Sequence, residues 1–486
     1  MCTMRERSTE INAFGRLVVT AACVRAAWWV VLAAGVAAAP GTVYGQASPW
    51  LAAGHWTGPT QAWLHAGGRV SGDPVAWVRT EAAAGAGLTA PYRARLAVER
   101  GARGGVFGSV ALGWEVRDGA VRPGGFTPSR EWTGPTSLAD ERAPGVAVQA
   151  AAVPLPWLAL SAAVAASHAG IQLEQGTVGV SAGVLDVWAG RRAAGWRPGS
   201  GGLVLHGVER LDGAGVGLAR PVEVPLLGAV SAEALAGPVG RNGGVARPWL
   251  LGMRVHARPH ARLDAGATRA ALFGGLGGSA VGFREVAAVL VGANLDGRYA
   301  DDQVASLDAR WRPPLGAVAV ELYGEWGMHD IDPGVLVDVP AFTLGARLPG
   351  VFRPARAELG LGVEHTQVSG ACCGNPPWYH HFELADGWVV DGAALGHPLG
   401  GQGREWRASV FAASADAAVL VHAAGAVRMR GAENVYAPAR QGRALLLDVM
   451  ADVQGTGRLG ASLELHAERG SDWREMRGTA AVRWRL

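Results

Sequence analysis

Lysine is absent from this chain, and all 44 basic residues are arginine. Together with the load of alanine and glycine, that reflects a GC-rich coding bias more than a mechanism. Charge is scarce as well, at 17% of residues against about a quarter in soluble proteins. The net charge of +3 and the lack of basic runs with interleaved aromatics exclude a nucleic-acid partner. Past the leader no apolar run approaches a transmembrane helix, because Arg, Asp, Glu or Gly interrupts each one. Cysteine is nearly missing too: only Cys372 and Cys373 lie outside the N-terminal leader. No H-E-x-x-H or Walker-type phosphate loop occurs, so the common sequence signatures of zinc proteases and nucleotide hydrolases are excluded.

What is present begins with an export signal. Arg5, Arg7, Arg16 and Arg25 precede the apolar run 26–39, and small residues end at Ala47. That order fits a signal peptide over residues 1–47, and the run is short of the ~18 residues a membrane helix requires. Pro59 before TQAWLHA with Gly67 and Gly68 after it, then Asp73 and Pro74 before VAWVRTEAAA with Gly85 after it, predict two short helices. They make a small module over 48–90, too short for a core of its own.

From Tyr92 onward the period is two. Val110, Leu112, Trp114 and Val116 oppose Ser109, Glu115 and Arg117. Leu307, Ala309 and Trp311 oppose Asp308, Arg310 and Arg312, and Glu321, Tyr323 and Glu325 share one face. Leu359, Leu361 and Val363 oppose Glu358 and Glu364, and the chain ends with Val482, Trp484 and Leu486 facing away from Arg483 and Arg485. A soluble sandwich can show such alternation. Charge recurring on one face of nearly every strand, with an export signal and low total charge, favours an outer-membrane barrel. The expected fold over 91–486 is therefore an all-β, antiparallel transmembrane barrel of 16–18 strands, with the helical module as plug.

Catalytic signals are weak. GVSAG at 179–183 matches a nucleophile elbow but sits inside an alternating strand, where the motif needs a strand–turn–helix. GAGVG at 213–217 lacks the helix a dinucleotide site requires. Cys372 and Cys373 read as a loop disulfide or a chance pair, because no second ligand pair stands at zinc spacing. Asp330 and Asp332 alone are a weak calcium signal. No catalytic residue, metal or cofactor is expected. The most function-bearing stretch is 376–401, which gathers Trp378, Tyr379, His380, His381, Trp388 and His397 among glycines. Two readings stand for these six residues: a platform on which sugar rings stack, or interfacial aromatics of the kind barrels display as girdles.

The segment WYHHFELADGWVVDGAALGHPLGG resembles the Y-x-H and G-H-x-x-G region of the Wzi family of outer-membrane capsule-assembly proteins. Stretches 195–210, 250–275 and 304–326 are similar to further family segments in the same order. The resemblance implies a barrel of about eighteen strands with an N-terminal helical plug. It also implies a non-enzymatic, lectin-like role: a monomer in the outer membrane, contacting membrane lipid, that holds capsular or other surface polysaccharide. The six residues above become the candidate carbohydrate contacts. A porin-like channel for small anionic solutes is the alternative, supported by the arginine-rich polar faces.

Overall fold

Alternating side chains on extended backbone put two chemistries on two faces of a sheet. The computed structural model describes residues 105–485, apart from 119–143, 290–300, 330–340, 370–377, 455–458 and several shorter connections. The expected export signal, the helical module, the 330–332 carboxylates and the cysteine pair lie outside the described residues.

The strands begin with β1 (Gly105–Asp118), β2 (Pro144–Leu155), β3 (Leu158–Ser167), β4 (Gly170–Ala182) and β5 (Leu185–Ala194). Next come β6 (Val208–Leu218), β7 (Val222–Val224), β8 (Gly228–Pro238), β9 (Arg241–Asn242), β10 (Val245–Ala246), β11 (Trp249–His260) and β12 (Leu263–Phe273). They continue as β13 (Asp301–Trp311), β14 (Glu321–His329), β15 (Ala341–Phe352), β16 (Ala357–Val368), β17 (Val389–Val390) and β18 (Ala393–Ala394). The last are β19 (Gly403–Ser414), β20 (Val419–Arg430), β21 (Gly442–Gln454), β22 (Leu459–Arg469) and β23 (Arg474–Arg485).

Nineteen of these form one sheet, and β9–β10 and β17–β18 are separate small hairpins. Sequence neighbours pair antiparallel around the sheet. The chain's first described strand also pairs with its last: Phe107 lies opposite Arg485 and Asp118 opposite Arg474. Nineteen exceeds the expected upper count by one because β6 and β7 both run along β8. Pro221 stands at that break and cannot donate to a ladder.

The two ends of the sheet differ. Connections 156–157, 183–184 and 261–262 are two-residue turns at one end. The strands that flank the long connections 119–143, 195–207, 274–300, 369–402 and 431–441 meet them at the other. Gly183, with φ 62°, supplies the left-handed residue of the tight turn from β4 to β5. The GVSAG motif therefore lies on a strand and its hairpin turn, and no helix follows it.

Burial runs opposite to that of a soluble protein. Trp406 is 62% exposed and Ile171 80%, while Arg428, Glu468 and Asp452 are buried. Along β20 the exposed residues are Val419, Val421, Gly425, Val427 and Met429, and His422, Arg428 and Arg430 point to the buried side. Buried charge is tolerated only when paired, and the inner face is laced accordingly. Arg254 donates to both oxygens of Asp308 at 2.7 and 3.0 Å. Asp264 takes Arg258 at 2.7 Å and Arg312 at 3.3 Å. Glu468 gathers Arg430 at 2.7 Å, Arg428 at 3.3 Å and Arg440 at 3.7 Å, and Arg407 meets Asp448 at 2.6 Å. Glycine makes room for large rings between these pairs. A Cβ on Gly360 would lie 1.8 Å from Phe411, and one on Gly345 would lie 2.0 Å from Tyr323.

Candidate functional site

A buried apolar core lies at the long-loop end. Its members include Trp196, Trp378, Tyr379 and Trp388, packed with Leu203, Leu205, Leu395 and Leu399. Two connections supply them, 195–207 and 369–402; Val435 of the 431–441 connection packs against the cluster, and Val245 of the β9–β10 hairpin belongs to it.

Backbone conformation folds 378–401 back on itself. Tyr379 adopts φ 66° and Gly387 φ 64°, and the Trp388 N–H donates to the Tyr379 carbonyl at 2.8 Å. A Cβ on Gly387 would sit 1.6 Å from that carbonyl oxygen, so glycine is required there. Gly400 and Gly401, at φ 77° and 42°, turn the chain into β19.

Side chains then bolt the loop to its neighbours. The Tyr379 hydroxyl donates to the Leu203 carbonyl at 2.6 Å and accepts the His397 N–H at 2.8 Å. Trp388 Nε1 donates to the Val204 carbonyl at 2.8 Å. Leu203 is fixed to the wall in turn, since its N–H donates to Glu325 at 3.1 Å and Glu325 also accepts Ser306 Oγ at 2.6 Å. Asn242 Nδ2 donates to the carbonyls of Gly387 and Val389 at 2.6 and 2.7 Å. On the far side Asn434 Nδ2 reaches the carbonyls of Leu399 at 2.9 Å and Gln402 at 2.6 Å. The Tyr436 hydroxyl accepts the Ala394 N–H at 3.2 Å. Burial pushes the Tyr379 phenol well above its ordinary value, and Tyr436 is raised for the same reason. Both stay neutral donors and acceptors.

The six residues singled out in the sequence therefore sit together, but in two environments. Trp378, Tyr379, Trp388 and His397 are at most 2% exposed, so in this conformation their ring faces meet protein and not solvent. Trp378 leans on His329 at 5.9 Å and covers Gly327. His380 and His381 are half-buried, and His381 Nδ1 accepts the Leu384 N–H at 3.2 Å. Glu325, Asn242, Asn434 and Tyr436 were not legible as partners. Leu203 and Glu325 lie in stretches already singled out, whereas a lone asparagine carries no spacing signal.

Among the described residues one trio, Glu364, His397 and Glu405, brings a possible ligand atom from each within 4.8 Å of the others. Tyr323 donates to Glu364 at 2.6 Å, and Arg428 Nε donates to Glu405. The Leu399 N–H donates to His397 Nδ1 at 3.1 Å, which assigns the hydrogen of the neutral ring to Nε2. Each member of the trio thus has a hydrogen-bonding neighbour outside it.

Comparison with known proteins adds the decisive observation. The sequence model of the capsule assembly protein Wzi family matches residues 96–471. This chain belongs to that family. A solved structure from Escherichia coli, Wzi, is similar over 91% of this chain and 99% of its own, with 15% identity and a TM-score of 0.68. It is described as an outer-membrane protein involved in group 1 capsule assembly and a carbohydrate-binding β-barrel. At that identity the likeness establishes the Wzi-type fold. OccK5 (OpdH) of Pseudomonas aeruginosa matches more loosely, at 9% identity and a TM-score of 0.46, over 79% of this chain and 98% of its own. No curated protein matches by sequence.

Proposed function

We propose that this chain is a non-enzymatic outer-membrane β-barrel that binds exported capsular or other surface polysaccharide and holds it at the cell. Membership of the Wzi family over residues 96–471 carries the reading. The sheet supports it physically. Its outward face is apolar and its inward face charged, the arrangement that lipid outside and a wet interior require. Pairing of β1 with β23 supports closure of the ring, and counting β6 with β7 as one stave gives eighteen.

Short turns at one end of the sheet and long connections at the other support a reading in which the short-turn end is periplasmic, with the 48–90 module as plug on that side after removal of a signal peptide over 1–47. The long-loop end then faces outward, where the polymer is. His380 and His381, both half-buried, are the most exposed of the six rings there. Trp378, Tyr379, Trp388 and His397 shape and rigidify the surface beneath, and meet sugar only when the loop opens.

Deletion of the gene, followed by staining of the surface glycan, tests the reading. Loss of polymer from the cells into the medium is expected. Polymer that stays wholly cell-bound would overturn it.

A further inference from the structure

The outward face is not uniformly apolar. Arg404 on β19, Arg443 on β21, Arg469 on β22 and Arg474 on β23 are all exposed on that face, at the long-loop end of their strands. Register brings them together. Arg404 lies opposite Met429, and Met429 lies opposite Arg443. Arg469 lies opposite both Leu445 and Arg474. Like charges directly opposite on one face of a sheet are destabilising unless a counter-charge is supplied. Among the described residues the acidic ones at this level are Asp118, opposite Arg474 in register, Asp472 in the turn after β22, which accepts Ser471 Oγ at 2.8 Å, and Glu433, which accepts Gln402 Nε2 at 3.1 Å. Among the described residues the rim carries these four arginines against three acidic residues, and Arg474 already has a neighbour of its own. Immediately toward the short-turn end on the same face stand Trp406, Leu445, Leu447 and Met476, all more than 40% exposed.

The β11–β13 sector is built differently. There Val289 packs on Leu251 and Phe273 of the outward face, and the Val289 carbonyl accepts Arg269 NH1 at 2.5 Å. The chain covers its own wall on that side, and the β19–β23 sector has a basic rim above bare apolar surface.

We propose that the β19–β23 sector is a docking surface for a phosphorylated, multiply acylated glycolipid of the outer leaflet. Its phosphates lie among Arg404, Arg443, Arg469 and Arg474, where guanidinium groups match phosphate geometry. Its acyl chains lie along Trp406, Leu445, Leu447 and Met476. This rests on the proposed outer-membrane barrel, because only then does the basic rim fall at headgroup level in the outer leaflet.

Detergent-purified full-length protein, mixed with lipopolysaccharide and followed by native mass spectrometry, tests it. Wild type retains the glycolipid. A protein carrying Arg404→Gln, Arg443→Gln, Arg469→Gln and Arg474→Gln retains it at least tenfold more weakly while keeping its heat-modifiable mobility on gels. Enzymatically dephosphorylated lipopolysaccharide binds wild type as weakly as that variant does. Equal retention by the variant, equal retention of phosphatidylglycerol, or displacement of the glycolipid by millimolar inorganic phosphate would each overturn the proposal. A protein that stays soluble without detergent would overturn the barrel reading itself, an outcome separate from a folded barrel that fails to hold the lipid.

Discussion

The hydroxyl of Tyr379 donates to the carbonyl of Leu203 at 2.6 Å, joining two connections 176 residues apart in the chain. The same oxygen accepts the His397 N–H, and Leu203 is held to the wall through Glu325. One phenol thus ties the 378–401 loop to the 201–206 loop and, through it, to β13 and β14.

Tyr379→Phe keeps the ring and removes both bonds. Each stranded buried group costs about 1–3 kcal/mol, and the cost falls on the loops because the strand ladder is untouched. Hydrogen–deuterium exchange should speed by tenfold or more at residues 388–399, with heat-modifiable gel mobility unchanged. Exchange that stays at the wild-type rate would show that the phenol does not hold the loop.

Gly360 tests the wall. The Phe411 ring lies where a Cβ on Gly360 would be, and the two residues are directly opposite on β16 and β19. Gly360→Val forces the ring out of place, at a cost of about 1–3 kcal/mol or more. A reduced fraction of heat-modifiable barrel after refolding into detergent is expected, with partial recovery in the double variant Gly360→Val, Phe411→Ala.

Alkaline pH should loosen the loop end before the wall. Tyr379 and Tyr436 have folded-state values raised by burial above the ordinary 10.0. In that case the unfolded loop loses its protons first, so the stabilisation is complete below about pH 10 and declines as pH rises beyond it. Exchange protection at 388–399, measured relative to protection in the β20–β21 ladder, should fall from about pH 10 upward in wild type. In the double variant Tyr379→Phe, Tyr436→Phe that pH dependence should be lost.

The buried core at the loop end also predicts electrical behaviour. Residues of three connections and the β9–β10 hairpin build or flank it, and the inner wall pairs its arginines with carboxylates instead of presenting them to an ion path. Planar bilayers should show no large steady conductance. A stable open channel of porin size would favour the solute-channel alternative.

How much of this was legible in the sequence follows from what alternation can encode. A period of two states which side chains share a face, so Glu321, Tyr323 and Glu325 were placed together, and the structure buries all three. It does not state where a strand is broken, and the Pro221 break that splits β6 from β7 was missed. The 376–401 stretch stands out in the sequence because tryptophans and histidines among glycines mark an unusual loop, and the structure folds its tryptophans into a buried core. Its partners were not legible, since Asn242 and Asn434 act through backbone carbonyls distant in sequence. Nor was the burial of Trp378 and Trp388: aromatic clusters read alike whether they face sugar or pack over Gly327 and Val204.

The most direct test is equilibrium binding of the purified barrel to the organism's own exported polysaccharide, by pull-down with the immobilised polymer. Wild type should retain the polymer. His380→Ala with His381→Ala should weaken retention through lost contact, leaving exchange protection of the loop intact. Trp378→Ala and Trp388→Ala should weaken it by ~1 kcal/mol or more each, with increased loop exchange and an intact heat-modifiable barrel. A wild-type barrel that retains no polymer would contradict the account.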